Sequence, residues 1–175
     1  MKKFILSLLF VLGLFVAQAQ TNQSLFAAKE LSLSLGTGYV ADYNVTSVKD
    51  AFADEYEFNL TAGAQYFVTR HFGIEAALPF YQTKGVSVSE VSFGGVARLP
   101  LPTKVVVLRN LAPYVGLGAV YGWQAEEHWT YVAKLGLEWR FNPKWGFFAE
   151  GQYRNVDFKF DNGATTAYGG LRLVF

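Results

Sequence analysis

The chain has 175 residues, 51% of them hydrophobic, 17% aromatic and only 17% charged. Soluble domains carry about a quarter of charged residues, and a disordered chain would be charged and poor in aromatics. A formal charge of +1 offers no basic field for a nucleic acid, and without Cys there is no disulfide, thiolate metal site, thiol nucleophile or lipid-anchored cysteine.

Lys2 and Lys3 precede an apolar run, Phe4 to Val16, and then Ala17-Gln18-Ala19, a small-x-small pattern. This predicts a cleaved signal peptide over residues 1–19 and a mature domain over 20–175. The run is too short for a membrane anchor, which needs about 20 apolar residues. The longest later stretch without charge, Asn110 to Ala125, is broken by Pro113 and by glycines. The mature chain must be soluble or cross a membrane as strands.

A period of two runs through the remainder, which is strand periodicity. Leu31, Leu33, Leu35, Thr37, Tyr39, Ala41 and Tyr43 alternate with small or polar residues. The pattern returns at 56–68, 72–80 and 91–99, then at 115–123, 130–141, 147–154 and 167–175. About eight strands result, with no convincing helix between them. Residues 69–71 and 142–144 read as short turns, the latter opened by Asn-Pro. Residues 44–55, 82–90, 124–129 and 155–165 read as longer polar loops. Short turns at one end and longer loops at the other suit an outer-membrane barrel. The connection 100–112, with its apolar run Val105 to Leu108, reads either as a long turn or as strand extensions.

Alternation alone does not say which face is outside. The polar face is rich in Gly, Ser and Thr with spaced single charges, which suits a narrow lumen better than a soluble exterior. Aromatics gather at the strand ends. Tyr66, Phe72, Phe141 and Trp145 form one expected girdle and Tyr43, Tyr56, Phe80, Trp123, Trp129 and Tyr153 the other, with Trp139 a further girdle residue. Inward positions carry Glu57, Glu75, Glu138 and Glu150 against Arg98, Lys134, Arg140, Arg154 and Arg172. Isolated charges in a tight lumen are costly, so these are expected to pair. The last alternating positions, Leu171, Leu173 and Phe175, resemble the signal read by the barrel-assembly machinery of Gram-negative bacteria.

Over nearly the whole mature chain, the sequence resembles the small eight-stranded outer-membrane barrels of the OmpA-transmembrane-domain and OmpX kind, within the porin-like outer-membrane β-barrel family. The segment Pro113-Tyr114-Val115-Gly116-Leu117-Gly118 is similar to the Pro-Tyr-x-Gly-x-Gly strand seen there. The chain ends with the eighth strand, so no peptidoglycan-binding domain is expected. The resemblance implies an all-β, transmembrane, antiparallel up-and-down barrel. It implies contact with outer-membrane lipid and lipopolysaccharide, handling by the assembly machinery and a monomeric state. It leaves open a structural or surface-interaction role with an extracellular protein partner, a narrow or gated channel, or a lipid-modifying rim enzyme.

Chemical motifs are weak. Gly116, Gly118 and Gly122 miss the dinucleotide fingerprint by one place, and no helix follows them. His71 and His128 are the only histidines. The rim cluster Glu126, Glu127 and His128 suggests a lipid hydrolase or a divalent-cation site. The nucleophilic Ser of such a hydrolase is missing, since Thr130 stands two places after His128. Three adjacent positions on a strand cannot all face one ion. No catalytic residue, metal or cofactor is expected. Asp42, Asp50, Asp54, Glu55, Asp157 and Asp161 make the outer rim mildly acidic, and the alternation of Phe158 and Phe160 suggests a protruding edge open to strand addition.

Overall fold

The computed structural model describes residues 25–41, 58–83, 86–101, 105–122, 128–155 and 163–175. Eight strands form one closed antiparallel barrel in sequence order: β1 (Glu30–Ala41), β2 (Phe58–Phe67), β3 (Phe72–Thr83), β4 (Val86–Arg98), β5 (Leu111–Gly122), β6 (His128–Arg140), β7 (Trp145–Asn155) and β8 (Gly163–Val174). Closure comes from β1 pairing with β8, from Ser32 opposite Val174 to Ala41 opposite Thr165. Every strand therefore has two neighbours, and no edge is left to satisfy by other means.

The alternation places apolar residues outside and polar ones inside, the reverse of a soluble barrel. Leu117 is 73% exposed, Leu135 66% and Phe72 65%, while Glu138 and Arg140 are at most 1% exposed. A continuous apolar outer surface around a polar core is stable only if lipid replaces water outside. No helix among the described residues is long and apolar enough to cross a membrane.

The termini of the barrel, at β1 and β8, share one end with the connections 68–71, 99–110 and 141–144. We call this the turn end. At Thr69 to Phe72 the Thr69 Oγ1 accepts from the amides of His71 and Phe72, and at 142–145 the Asn142 Oδ1 accepts from those of Lys144 and Trp145. Both are side-chain-capped tight turns. The opposite, loop end carries the connections 42–57, 84–85, 123–127 and 156–162.

Three sequence expectations need correction. The loop expected over 82–90 is mostly strand: β3 runs to Thr83 and β4 starts at Val86, in one register from Gln82 opposite Ser87 to Ala77 opposite Ser92. That pairing skips only Leu78 and Pro79, and Pro79 has no N–H to give to a ladder. The connection 100–112 holds one turn of helix, α1 (Val106–Arg109), where none was expected. Before it the β4–β5 ladder extends beyond β4, with the amides of Leu99 and Leu101 bonding to the carbonyls of Pro113 and Leu111. The strand-extension reading thus holds on the flanks of that connection and the turn reading at its centre. Finally, β5 and β8 start earlier than their apolar runs suggest, at Leu111 and Gly163. The first twenty-four residues, including the expected signal peptide, and the expected protruding segment 158–162 lie outside the described residues.

An ion-paired column as candidate functional site

The lumen is filled by charged side chains projecting from six strands. At the turn end, Glu30 at the start of β1 receives two arginines. Arg98 from β4 donates to its Oε1 at 2.6 Å, and Arg140 from β6 donates to Oε1 at 2.5 Å and to Oε2 at 2.7 Å. This forked geometry suits the planar guanidinium. Arg140 also donates to Glu138 at 2.6 Å, and Glu138 in turn accepts from Arg172 of β8. Glu138 and Arg140 lie two residues apart on β6, so the pleat points both into the lumen. Five charges from four strands are thereby linked across the barrel, all of them buried.

The column continues toward the loop end. Arg172 lies over the rings of Tyr114 and Phe148, at 5.5 and 5.1 Å. Tyr114 donates to Glu150 at 2.8 Å. Glu150 also accepts from Gln152 at 2.6 Å and lies 3.5 Å from Lys134, which pairs with Glu75. Gln65 donates to Glu75 at 3.0 Å. The last member, Arg154, pairs with Glu90 and reaches Gln152. Among the described lumen residues, five acids meet five bases, and every one of them has an oppositely charged partner.

A plug closes the turn-end mouth. Lys29 has φ 56°, a left-handed turn that is uncommon for a side-chain-bearing residue. It folds the preceding segment back onto the lumen. There Phe26, 3% exposed, lies between the guanidinium groups of Arg140 at 4.3 Å and Arg98 at 5.0 Å. Arg98 stacks on Phe67 from its other side, at 3.6 Å. The same arginines hold the plug's backbone: Arg140 donates to the Leu25 carbonyl and Arg98 to that of Ala27, both at 2.7 Å. Cation–π contact and charge-assisted hydrogen bonds thus act at one point. Farther in lies a cavity of about 30 Å³ lined by Ser34, Thr61, Gln65, Glu75, Lys134 and Glu150 among others.

Of the charges expected in the lumen, Glu75, Arg98, Lys134, Glu138, Arg140, Glu150, Arg154 and Arg172 are brought into this one column. Glu57 falls outside the described residues. Sequence reasoning missed Glu30 and Glu90. Glu30 shares the inward parity of Ser32 and Ser34 but precedes the first Leu of the run. Glu90 shares the parity of Ser92 but was hidden in the supposed loop.

The expected girdles divide by end. At the turn end, Tyr66, Phe72 and Trp145 are exposed on the outer face, and Trp139 and Phe141 join Phe147 in a cluster with ring centroids 5.2–6.3 Å apart. Toward the loop end, Trp129 packs against Tyr121 at 5.0 Å and edge-on to Phe93 at 5.9 Å. Phe80 is exposed, and Tyr153 stands opposite Ala133 and Thr165. Tyr43, Tyr56 and Trp123 lie outside the described residues. At the end of β8, Leu171 and Phe175 are exposed on the outer face, and the Phe175 amide bonds to the Leu31 carbonyl at 2.8 Å.

The fold recurs in known proteins. Residues 6–173 match a family model described as the outer membrane protein beta-barrel domain. The N-terminal β-barrel domain of Pseudomonas aeruginosa OprF superposes with TM-score 0.64 at 15% identity, covering 85% of this chain and 99% of that one. A de novo designed transmembrane β-barrel gives 0.59 at 16%, covering 85% and 97%. Ail, the attachment invasion locus protein of Yersinia pestis, gives 0.54 at 13%, covering 85% and 99%. No curated protein matches the sequence.

Proposed function

Because the chain belongs to the outer membrane protein β-barrel family, we propose that it is a sealed barrel of the outer membrane whose role is exercised at its surface, not through its lumen. One observation carries this reading: among the described residues the lumen is packed with charged side chains that pair with one another. The cavity of about 30 Å³ among these side chains holds roughly two waters. Eight strands enclose a lumen just wide enough for side chains, and here those side chains are tied to one another from Glu30 at the turn end to Arg154 and Glu90 toward the loop end.

The surface assigned to interaction is the loop end. The connections 42–57, 84–85, 123–127 and 156–162 carry nine acids, among them Asp50, Glu126 and Asp157, against Lys49, Lys84 and Lys159. The Yersinia pestis protein has been solved with the heparin analogue sucrose octasulfate. Such a polyanion would be repelled by the loops of this chain. Their charge fits the basic face of an extracellular protein, and like-charge repulsion would disfavour anionic competitors. In this reading residues 1–19 are the cleaved signal, the mature protein is a monomer seated among outer-membrane lipid and lipopolysaccharide, and Leu171, Leu173 and Phe175 are read by the assembly machinery of a Gram-negative cell. No catalytic role is proposed, and the rim cluster around His128 is given none.

Solute flux tests the reading. Liposomes holding the folded barrel should swell in iso-osmotic glycine no faster than protein-free liposomes. Swelling that rises with barrel content would contradict a sealed lumen. A narrow, gated channel is the second reading, favoured by the Phe26 plug. The segment is held by Arg98 and Arg140, so releasing residues 25–29 would expose the Arg98–Glu30–Arg140 group to water.

A further inference from the structure

The turn end carries charge of one sign. Lys29 precedes β1, Arg70 stands between β2 and β3, Arg109 ends α1, and Lys144 stands between β6 and β7. No Asp or Glu occurs in the connections 68–71, 99–110 or 141–144, and Glu30 is turned into the lumen. The exposed cations Lys29, Arg70 and Lys144, with half-buried Arg109, ring the end that also carries the Trp139, Phe141 and Phe147 cluster. In barrels of this family the short turns face the periplasm, so the ring lies at the level of the headgroups of the inner leaflet.

One sector of that ring has a groove beside it. A trough of about 570 Å³ is cut into the outer face between His71, Phe72, Ala97, Leu99, Pro113 and Leu135, within the roughly 300–1,000 Å³ of ligand pockets. Its floor is low because small Ala97 stands opposite Phe72 and Val115 in the sheet. Its upper edge is His71, whose Nδ1 lies 3.2 Å from the Arg98 carbonyl oxygen, with exposed Arg70 next in the chain. A second trough of similar size, between Leu31, Tyr66, Ile74, Ala76 and Phe93, has no cation in its lining.

We propose that the first trough holds an anionic diacyl phospholipid of the inner leaflet, with its headgroup on Arg70 and His71 and an acyl chain lying between Phe72 and Leu99. The apolar walls alone would accept any acyl chain. The Arg70 charge at one end selects a headgroup with net negative charge over a zwitterionic one, and the second trough supplies the unselective comparison within the same molecule.

The test is retention of lipid by the folded barrel in native mass spectrometry, from detergent containing equal dioleoyl phosphatidylglycerol and dioleoyl phosphatidylethanolamine. The expected result is preferential retention of phosphatidylglycerol. Arg70→Gln should lower that preference by roughly five-fold, the worth of one cation near an anionic headgroup. Ala97→Phe, which fills the floor, should reduce retention of both lipids. Both side chains face away from the lumen, so the folded, heat-modifiable gel band is expected to persist. Should Ala97→Phe fail to fold, Ala97→Leu takes its place. Equal retention of the two lipids, or a preference that Arg70→Gln leaves unchanged, overturns the headgroup assignment. Unchanged retention in the Ala97 variant overturns the groove.

Discussion

Glu138 is the acid on which the column turns. It accepts from Arg140 on its own strand and from Arg172 on β8, and it is 1% exposed. Glu138→Gln removes the carboxylate that pairs with buried Arg172 and leaves Arg140 with Glu30 alone. Breaking a buried pair in this way costs about 3–5 kcal/mol, so the urea midpoint of the refolded barrel should fall clearly. Arg70→Gln, at an exposed turn, should change stability by no more than about 0.5 kcal/mol. The pair should also be non-additive. Glu138→Gln combined with Arg172→Met should cost less than the two single changes together, because the double variant leaves fewer charges stranded. Equal midpoints for Glu138→Gln and Arg70→Gln would show that the column does not hold the barrel together. Most members of this column were legible as inward charges, since parity along a strand is all that is needed. Their pairing was not, because Arg98 and Glu30 are 68 residues apart and meet only after the sheet closes. Phe26 was beyond reach altogether: no periodicity describes a segment that folds back into the mouth.

At the scale of strands, packing rather than hydrogen bonding decides which small residues matter. Gly136 on β6 faces the lumen, where a Cβ would overlap the Tyr114 ring. Gly151 on β7 faces outward, and the nearest atom to its Cβ position is the Leu135 carbonyl oxygen at 3.9 Å. Gly136→Ala should therefore displace Tyr114, loosen its bond to Glu150 and cost about 1–3 kcal/mol by overpacking. Gly151→Ala should fold with nearly unchanged stability. Urea titrations of the two variants check this, and equal losses would mean that the lumen has more slack than its contacts imply. Strand existence and facing followed from the period of two, but strand ends did not. Between Ser89 and Val91 the apolar residues change parity: Val86 and Val88 share that of Glu90, whereas Val91 and Phe93 hold the other. A simple alternation fails there, so 82–90 looked like loop although the backbone pairs on to Thr83 opposite Val86. The single turn of α1 was hidden because four residues give no helical period.

For the whole molecule, the account reduces to one distribution of charge. Acids and bases neutralise each other within the lumen, cations crowd the turn end, and acids crowd the loop end. The formal charge near zero conceals this separation, which appears only when each residue is assigned to an end and a face. The barrel is then a closed body that orients two unlike surfaces across one membrane. Its central claim, that the column is a core and not a path, is tested most directly by ion conductance in a planar bilayer. Protein shown to be inserted should give no steady openings in 1 M KCl, and Phe26→Ala, which removes the plug but leaves the column, should remain silent as well. Reproducible wild-type openings, altered in size when Glu138 or Arg172 is neutralised, would contradict the account and make the column a conduction path.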